Sequence, residues 1–252
     1  MQSSRLKRRF QSMDTYESLR KRFADKGLTG TKARVGLALD FDHAGAHMFK
    51  EGLVQQTINR LMPLAMGIDD NKSLDLWVFS DEVTRLESAT ENNYKDIAHY
   101  IVRSAHKGIT RYEPLIKDID HFYIEEQPMN LPNLVIVLTN GDTSDKLRSE
   151  HALTQASQHP IFFAFVGIGD NDFSFLQKLD CMDGRVVDNA SFMQIDDLES
   201  ITDAELFSRV LTEYPDWLTL PEVQTMLKDV RSLRSKNKIL LSRGFFGRRK
   251  RA

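Results

Sequence analysis

Apolar residues in this chain fall into short blocks, and amphipathic stretches with helical spacing lie between the blocks. Residues 33–42, "ARVGLALDFD", form a near-continuous apolar run that ends in acids. That is the pattern of a strand buried on both faces. The same reading applies to "LDLWVFS" (74–80), "NLVIVLTNGD" (133–142) and "PIFFAFVGIG" (160–169). "VTRLES" (83–88) follows the second run closely enough to pair with it as a hairpin, and "GRVVDN" (184–189) reads as a further strand. Helical spacing covers 46–66, 92–105, 113–126, 145–158, 172–180 and 203–213. Phe49, Leu53, Ile58, Leu61 and Leu64 mark the buried side of the first of these. A short amphipathic helix over 14–26 precedes the first strand and is ended by Gly27 and Gly30.

Strands that alternate with helices and lack internal polar alternation predict an α/β fold. The expected architecture is doubly wound, with a mainly parallel central sheet and helices on both faces. The expected organisation is a basic, partly helical lead-in (1–32), the α/β domain (33–218), and a helical then basic tail (219–252). Ligands of open α/β sheets sit at the carboxyl ends of the strands. Asp40, Asp42 and Asp142 all fall just past such ends, and the Thr110 loop is placed to join them.

Composition narrows the class. A chain of 252 residues with 41% hydrophobic content supports one large globular domain, with or without extensions. Cys181 is the one cysteine, so no intramolecular disulfide forms, as expected in a reducing compartment. It is expected to be a small buried or half-buried residue. The basic N-terminus lacks the apolar segment of a signal peptide. No run approaches the ~20 apolar residues needed to span a bilayer. The expected location is cytoplasmic.

The net charge of -2 hides an asymmetry. Residues 1–34 hold ten Lys/Arg and three Asp/Glu, and residues 228–252 hold ten Lys/Arg and one Asp. The body between them, 35–227, holds 14 Lys/Arg against 32 Asp/Glu. An acidic body with basic ends is explained by solvated termini or by contact with an anionic partner. The C-terminal "RGFFGRRKRA" suits a nucleic acid or an anionic membrane surface.

The acids at 40–42 support two chemistries. "DFDHA" resembles the opening motif of haloacid-dehalogenase-type phosphatases. That resemblance implies Asp40 as nucleophile, Asp42 as acid, Thr139 as phosphate ligand, and Asp170 and Asp172 at the Mg²⁺ end. Three departures weaken it. Ala44 replaces a Thr or Val, "GDND" lacks the usual spacing, and the phosphate lysine has only Lys146 or Lys178 as candidates.

The second resemblance covers far more of the chain. "KGLTG" (26–30), "GITRYEPLI" (108–116), "TNGDTSD" (139–145), "FVGIG" (165–169), "FLQKLD" (175–180), "VVDNASF" (186–192) and "YPDWL" (214–218) occur in order. They resemble the von Willebrand factor A (vWA) proteins of bacterial tellurium-resistance and stress operons, which are related to the copine vWA domain. That family's metal site uses D-x-S-x-S, a distant Thr and a later Asp. The resemblance therefore implies a site of Asp40, Asp42, Thr110 and Asp142. It implies a non-enzymatic adaptor in a tellurite-resistance or stress-response system, whose metal accepts a carboxylate from a partner protein.

The departures from that pattern matter. Asp42 places a charge where a hydroxyl is usual, and Ala44 supplies no ligand. Three carboxylates facing one point repel unless a cation joins them. Hard oxygen donors suit Ca²⁺ or Mg²⁺, with water replacing the lost hydroxyl. A decayed, metal-free site is the alternative. His43 and His47 match no ligand position, and Asp145 reads as a helix N-cap. Trp77 reads as core, and Trp217 as a docking residue for the C-terminal segment.

Overall fold

The runs at 34–40, 133–139 and 161–168 are buried at every position, because helices cover the sheet on both faces. The computed structural model describes residues 29–42 and 51–228, together with positions 17, 20, 21 and 24. The helix expected over 14–26, the start of the helix at 46–66, residues Ala44, His43 and His47, and the basic tail lie largely or wholly outside these residues.

Six strands form one sheet: β1 (Arg34–Asp40), β2 (Leu74–Phe79), β3 (Val83–Ala89), β4 (Asn133–Thr139), β5 (Ile161–Ile168) and β6 (Ala190–Ile195). Their spatial order is β3-β2-β1-β4-β5-β6. Every neighbouring pair is parallel except β2 and β3, which form the expected hairpin. The chain winds from β1 to one edge, then crosses back and winds to the other. The winding reverses between β1 and β4, so their carboxyl ends open a crevice.

Alternate residues of each strand feed two cores. Val35, Leu37, Leu39, Leu134, Ile136 and Leu138 pack under α1 (Glu51–Ile68), α2 (Ala98–Ser104), α6 (Asp203–Val210) and α7 (Tyr214–Leu218). Ala38, Val135 and Val137 pack under α3 (Tyr112–Asp120), α4 (Lys146–Ala156) and α5 (Ser174–Cys181). A π-helical turn, His121–Glu126, continues α3. Trp77 is core, with Nε1 donating to Asp118 Oδ2 at 2.9 Å. Trp217 is buried too; it stacks on Tyr214 with centroids 5.7 Å apart and meets Phe162 at 5.4 Å.

At the amino-terminal edge of the sheet, Arg34 is buried and pairs with Asp75 Oδ2 at 3.3 Å. Tyr123 Oη donates to the same oxygen at 3.0 Å, and Ser88 Oγ donates to Asp75 Oδ1 at 2.8 Å. The Arg34 guanidinium lies 4.4 Å from the Tyr123 ring centroid, a cation–π contact.

Four local expectations are corrected. The sixth strand is 190–195, not 184–189. Gly184 has φ +88°, and Arg185 folds back onto the carbonyls of Asp180 and Met182, so this stretch turns before the chain enters the sheet. The helix expected over 92–105 is confined to Ala98–Ser104, after a turn in which Asn93 Oδ1 accepts the Thr90 N–H at 2.7 Å. The helix expected over 203–213 stops at Val210, and Pro215 opens a separate turn over Tyr214–Leu218. Cys181, expected to be at least half-buried, is exposed on the last turn of α5.

Candidate metal centre

Asp40 ends β1 and Thr139 ends the adjacent β4. The register pairs Leu39 with Leu138, so the next two side chains lie side by side, on the face covered by α3. Thr139 Oγ1 donates to Asp40 Oδ2 at 2.6 Å, and Thr110 Oγ1 donates to the same oxygen at 2.8 Å. The Tyr112 hydroxyl lies 2.9 Å from Thr139 Oγ1 and also reaches the Gly141 carbonyl at 2.9 Å. Asp40 is fully buried, and among the described residues its Oδ1 has no hydrogen-bond partner.

Burial is the main cause that pushes the Asp40 carboxyl up to about 7, and the neighbouring Asp42 charge adds to it. The two threonine hydroxyls oppose the shift without cancelling it. Desolvation, then the charges of Asp40, Asp142 and Asp145, push the Tyr112 hydroxyl well above its usual range, which keeps it a neutral donor.

The Thr110 loop is held from both sides. Gly108 bridges to Asp42 in a parallel pairing. A Cβ at Gly108 would stand 1.6 Å from Asp81 Oδ1 and 2.9 Å from Ser80 Oγ, so only glycine allows this approach. On the other side, the Thr110 carbonyl accepts from Thr143 Oγ1 at 3.0 Å and from the Ser144 N–H at 3.2 Å. Asp145 ties the two loops together. It sits at the N-cap position of α4, yet its carboxylate caps α3, accepting from the Tyr112 and Glu113 N–H groups at 3.2 and 3.0 Å.

Of the four residues singled out from sequence, Asp40 and Thr110 are in direct contact. Asp42 is half-buried beside them, and its charge acts on Asp40. Asp142 is exposed and turned to Lys146, 2.5 Å away, while its Oδ1 accepts the Thr143 N–H at 2.8 Å. Among the described residues, no three His, Cys, Asp or Glu side chains gather closely enough to hold a metal ion. The donor set is thus one buried carboxylate with hydroxyls around it. Sequence reasoning assigned Thr139 only to a phosphate-binding role and missed Tyr112. The matched strand ends at Asp40 and Thr139 are the signal that pairs the first two.

Asp172 and Lys178, which the phosphatase resemblance alone singled out, are engaged elsewhere. Asp172 accepts the Ser174 N–H at 2.9 Å, which holds its carboxyl below the usual range. Lys178 pairs with Glu150 at 2.5 Å.

A parallel α/β sheet with its polar centre at this crevice defines a vWA-type domain, and comparison with known proteins agrees. Residues 32–226 match the family model vWA-TerF-like, described as the vWA found in the TerF C terminus, and the chain belongs to that family. An uncharacterised protein of Bacillus subtilis, YcbR, is 34% identical over 88% of this chain and 91% of its own. Copine-B of Dictyostelium discoideum is 23% identical over 46% of this chain and 19% of its own length.

Solved structures share the fold. A von Willebrand factor type A protein from Catenulispora acidiphila superposes with TM-score 0.51 at 16% identity, over 74% of this chain. Proximal thread matrix protein 1 of the mussel byssus, with a zinc-occupied MIDAS motif, gives TM-score 0.52 at 14% identity, over 72% of this chain. The chain spans only 43% and 48% of those two proteins. The SpRpn10 VWA domain gives TM-score 0.53 at 11% identity, with 77% of this chain and 98% of that domain aligned. No described helix is long and apolar enough to cross a membrane.

The oxygens that could hold a hard cation are those of Asp40, Thr110 and Thr139. A carboxylate oxygen that is buried without a donor is a ligand in waiting. Hydroxyls that give their proton to Asp40 keep lone pairs for a cation.

Proposed function

We propose that this vWA domain is a non-enzymatic adaptor whose site binds a divalent cation and offers the cation's open position to a carboxylate of a partner protein. Its setting is a tellurite-resistance or stress-response system. Asp40 supplies the anchoring carboxylate, and Thr110 and Thr139 supply hydroxyls. Asp42 adds the negative charge that a neutral hydroxyl lacks, and Asp142 joins once released from Lys146. Ca²⁺ or Mg²⁺ suits the all-oxygen set. Zn²⁺ is included because a mussel protein of the same fold holds zinc in its MIDAS motif.

The observation that carries this reading is Asp40 Oδ1, buried and without a hydrogen-bond partner among the described residues, at the point where the sheet's winding reverses. A cation there replaces the proton that Asp40 otherwise retains near neutral pH and stabilises the ionised form. The test is calorimetric titration of the metal-stripped protein with Ca²⁺, Mg²⁺ and Zn²⁺, beside Asp40→Ala and Asp142→Ala. The expected result is binding by the wild type, loss in Asp40→Ala and weakening in Asp142→Ala. Absence of heat and of any thermal shift with all three cations would mark the site as decayed.

A further inference from the structure

Beside the candidate centre, the Thr110 loop and the first turn of α4 enclose an open groove of about 730 Å³. Its wall carries Ile109 and Leu147, which are 62% and 80% exposed. The described residues leave four large apolar side chains exposed, and two of the four are in this groove. Single exposed apolar residues need no explanation, but paired ones in a concavity point to a ligand.

The charge of the groove runs against the body around it. Residues 35–227 hold 14 cations against 32 acids, yet this groove is lined by Arg111, Lys146 and Arg148 against Asp81 and Asp145, with Lys146 paired to Asp142. Arg148 is exposed and makes no ion pair with a described residue. Asp145, an acid of the wall, is buried, caps α3 and stands 3.9 Å from the half-buried Arg111 guanidinium, an ion pair too long to take up that cation's hydrogen-bond donors.

We infer that this groove docks an acidic segment of a partner protein, with an aliphatic side chain of the segment seated between Ile109 and Leu147 and its carboxylates on Arg148 and Arg111. The inference deepens the adaptor reading, resting on its interaction role and not on its cation. Charge complementarity selects the occupant. The chain's own tail is excluded, because its ten cations would meet three more. A polyphosphate strand fits poorly, because an aliphatic pair and the exposed Asp81 share the wall.

The test is selection of phage-displayed 12-residue peptides on the full chain, with chelator and with Ca²⁺ or Mg²⁺. Affinities of the selected peptides are then measured by fluorescence anisotropy. The expected sequences carry Asp or Glu flanking Leu, Ile or Val. Their affinity falls at least tenfold in Leu147→Asp and at least fivefold in Arg148→Glu, both exposed positions that leave the core untouched. It is unchanged in Lys95→Glu, next to Tyr94 on the opposite helical layer.

Four results would overturn the inference. The selected peptides lack that pattern. Their binding ignores Leu147→Asp, which would assign it to the basic tail. Labelled single-stranded DNA displaces them and is itself weakened by Leu147→Asp. Or Leu147→Asp changes the sedimentation of the pure protein, which would make a second copy the occupant. Peptide binding that is lost in Leu147→Asp, by a protein that gives no heat or thermal shift with any cation, retires the cation and keeps the groove. Cation binding by a protein that selects no such peptides does the reverse.

Discussion

Two buried carboxylates lie at opposite ends of the same sheet, and their surroundings differ. Asp75, at the amino-terminal edge, has a guanidinium, a phenol and a hydroxyl as partners. Asp40, at the carboxyl end, has two hydroxyls on one oxygen and the Asp42 backbone N–H acting on its carboxyl; among the described residues its other oxygen has no hydrogen-bond partner and it has no ion-paired cation. The first is a closed ion-pair network that holds β1, β2 and the π-helical turn together. The second leaves polar capacity unused in the place where this fold class binds ligands. The two acids are alike in burial and differ in their accounting of partners.

The largest effect is expected at the closed end. Arg34→Ala leaves Asp75 buried without its cation, which costs about 3–5 kcal/mol. Urea unfolding will read this as a lower midpoint with an unchanged slope. A loss below about 1 kcal/mol would mean that water reaches Asp75 and that the two ends are alike.

The open end predicts a pH dependence of opposite character. The folded Asp40 carboxyl titrates near 7 against 3.8 for the free side chain. The folded state then holds the proton more tightly, so stability is greatest below about pH 4 and falls as the pH rises through 7. Asp69, raised to about 6 mainly by burial, adds a decline of the same sign over a lower range. For Asp40 the loss is on the order of 3 kcal/mol between pH 4 and pH 8. Asp40→Asn removes that part of the slope, leaving the Asp69 part, and a divalent cation should offset it at pH 8. Thermal melts across this range check both.

Gly108→Ala comes next. The added methyl group must move Asp81 and press on Ser80, which costs about 1–3 kcal/mol. It also shifts Thr110 from Asp40, so cation affinity should fall with stability. Lys146→Ala gives the smallest change in stability, about 0–1 kcal/mol, because the Lys146–Asp142 pair is exposed. Freed of its lysine, Asp142 should raise cation affinity severalfold in the calorimeter. Unchanged affinity would exclude Asp142 from the centre.

Much of the fold was legible because buried parallel strands leave a strong signal. "RVGLALD", "NLVIVLT" and "IFFAFVGI" are apolar throughout, and all three are strands. The sixth strand was misplaced by a few residues, because an edge strand such as "ASFMQI" mixes buried and half-buried positions and resembles the turn before it. The polar cluster around Asp40 was legible in part. Asp40 and Thr110 were found from strand ends and family pattern. Thr139 and Tyr112 join Asp40 only through the β1–β4 register and the packing of α3 across it. The ion pair of Asp142 with Lys146 depends on side-chain orientation in a polar loop, which spacing does not encode.

The account rests on Asp40 exchanging a proton for a cation. The most direct measurement is cation affinity by calorimetry at pH 6 and at pH 8, for the wild type and Asp40→Asn. With the carboxyl titrating near 7, affinity should rise about tenfold between the two pH values, with proton release at the lower one. Asp40→Asn should bind nothing at either. Equal affinity at both pH values, or binding that survives in Asp40→Asn, would contradict the claim that this buried carboxylate is the heart of the site.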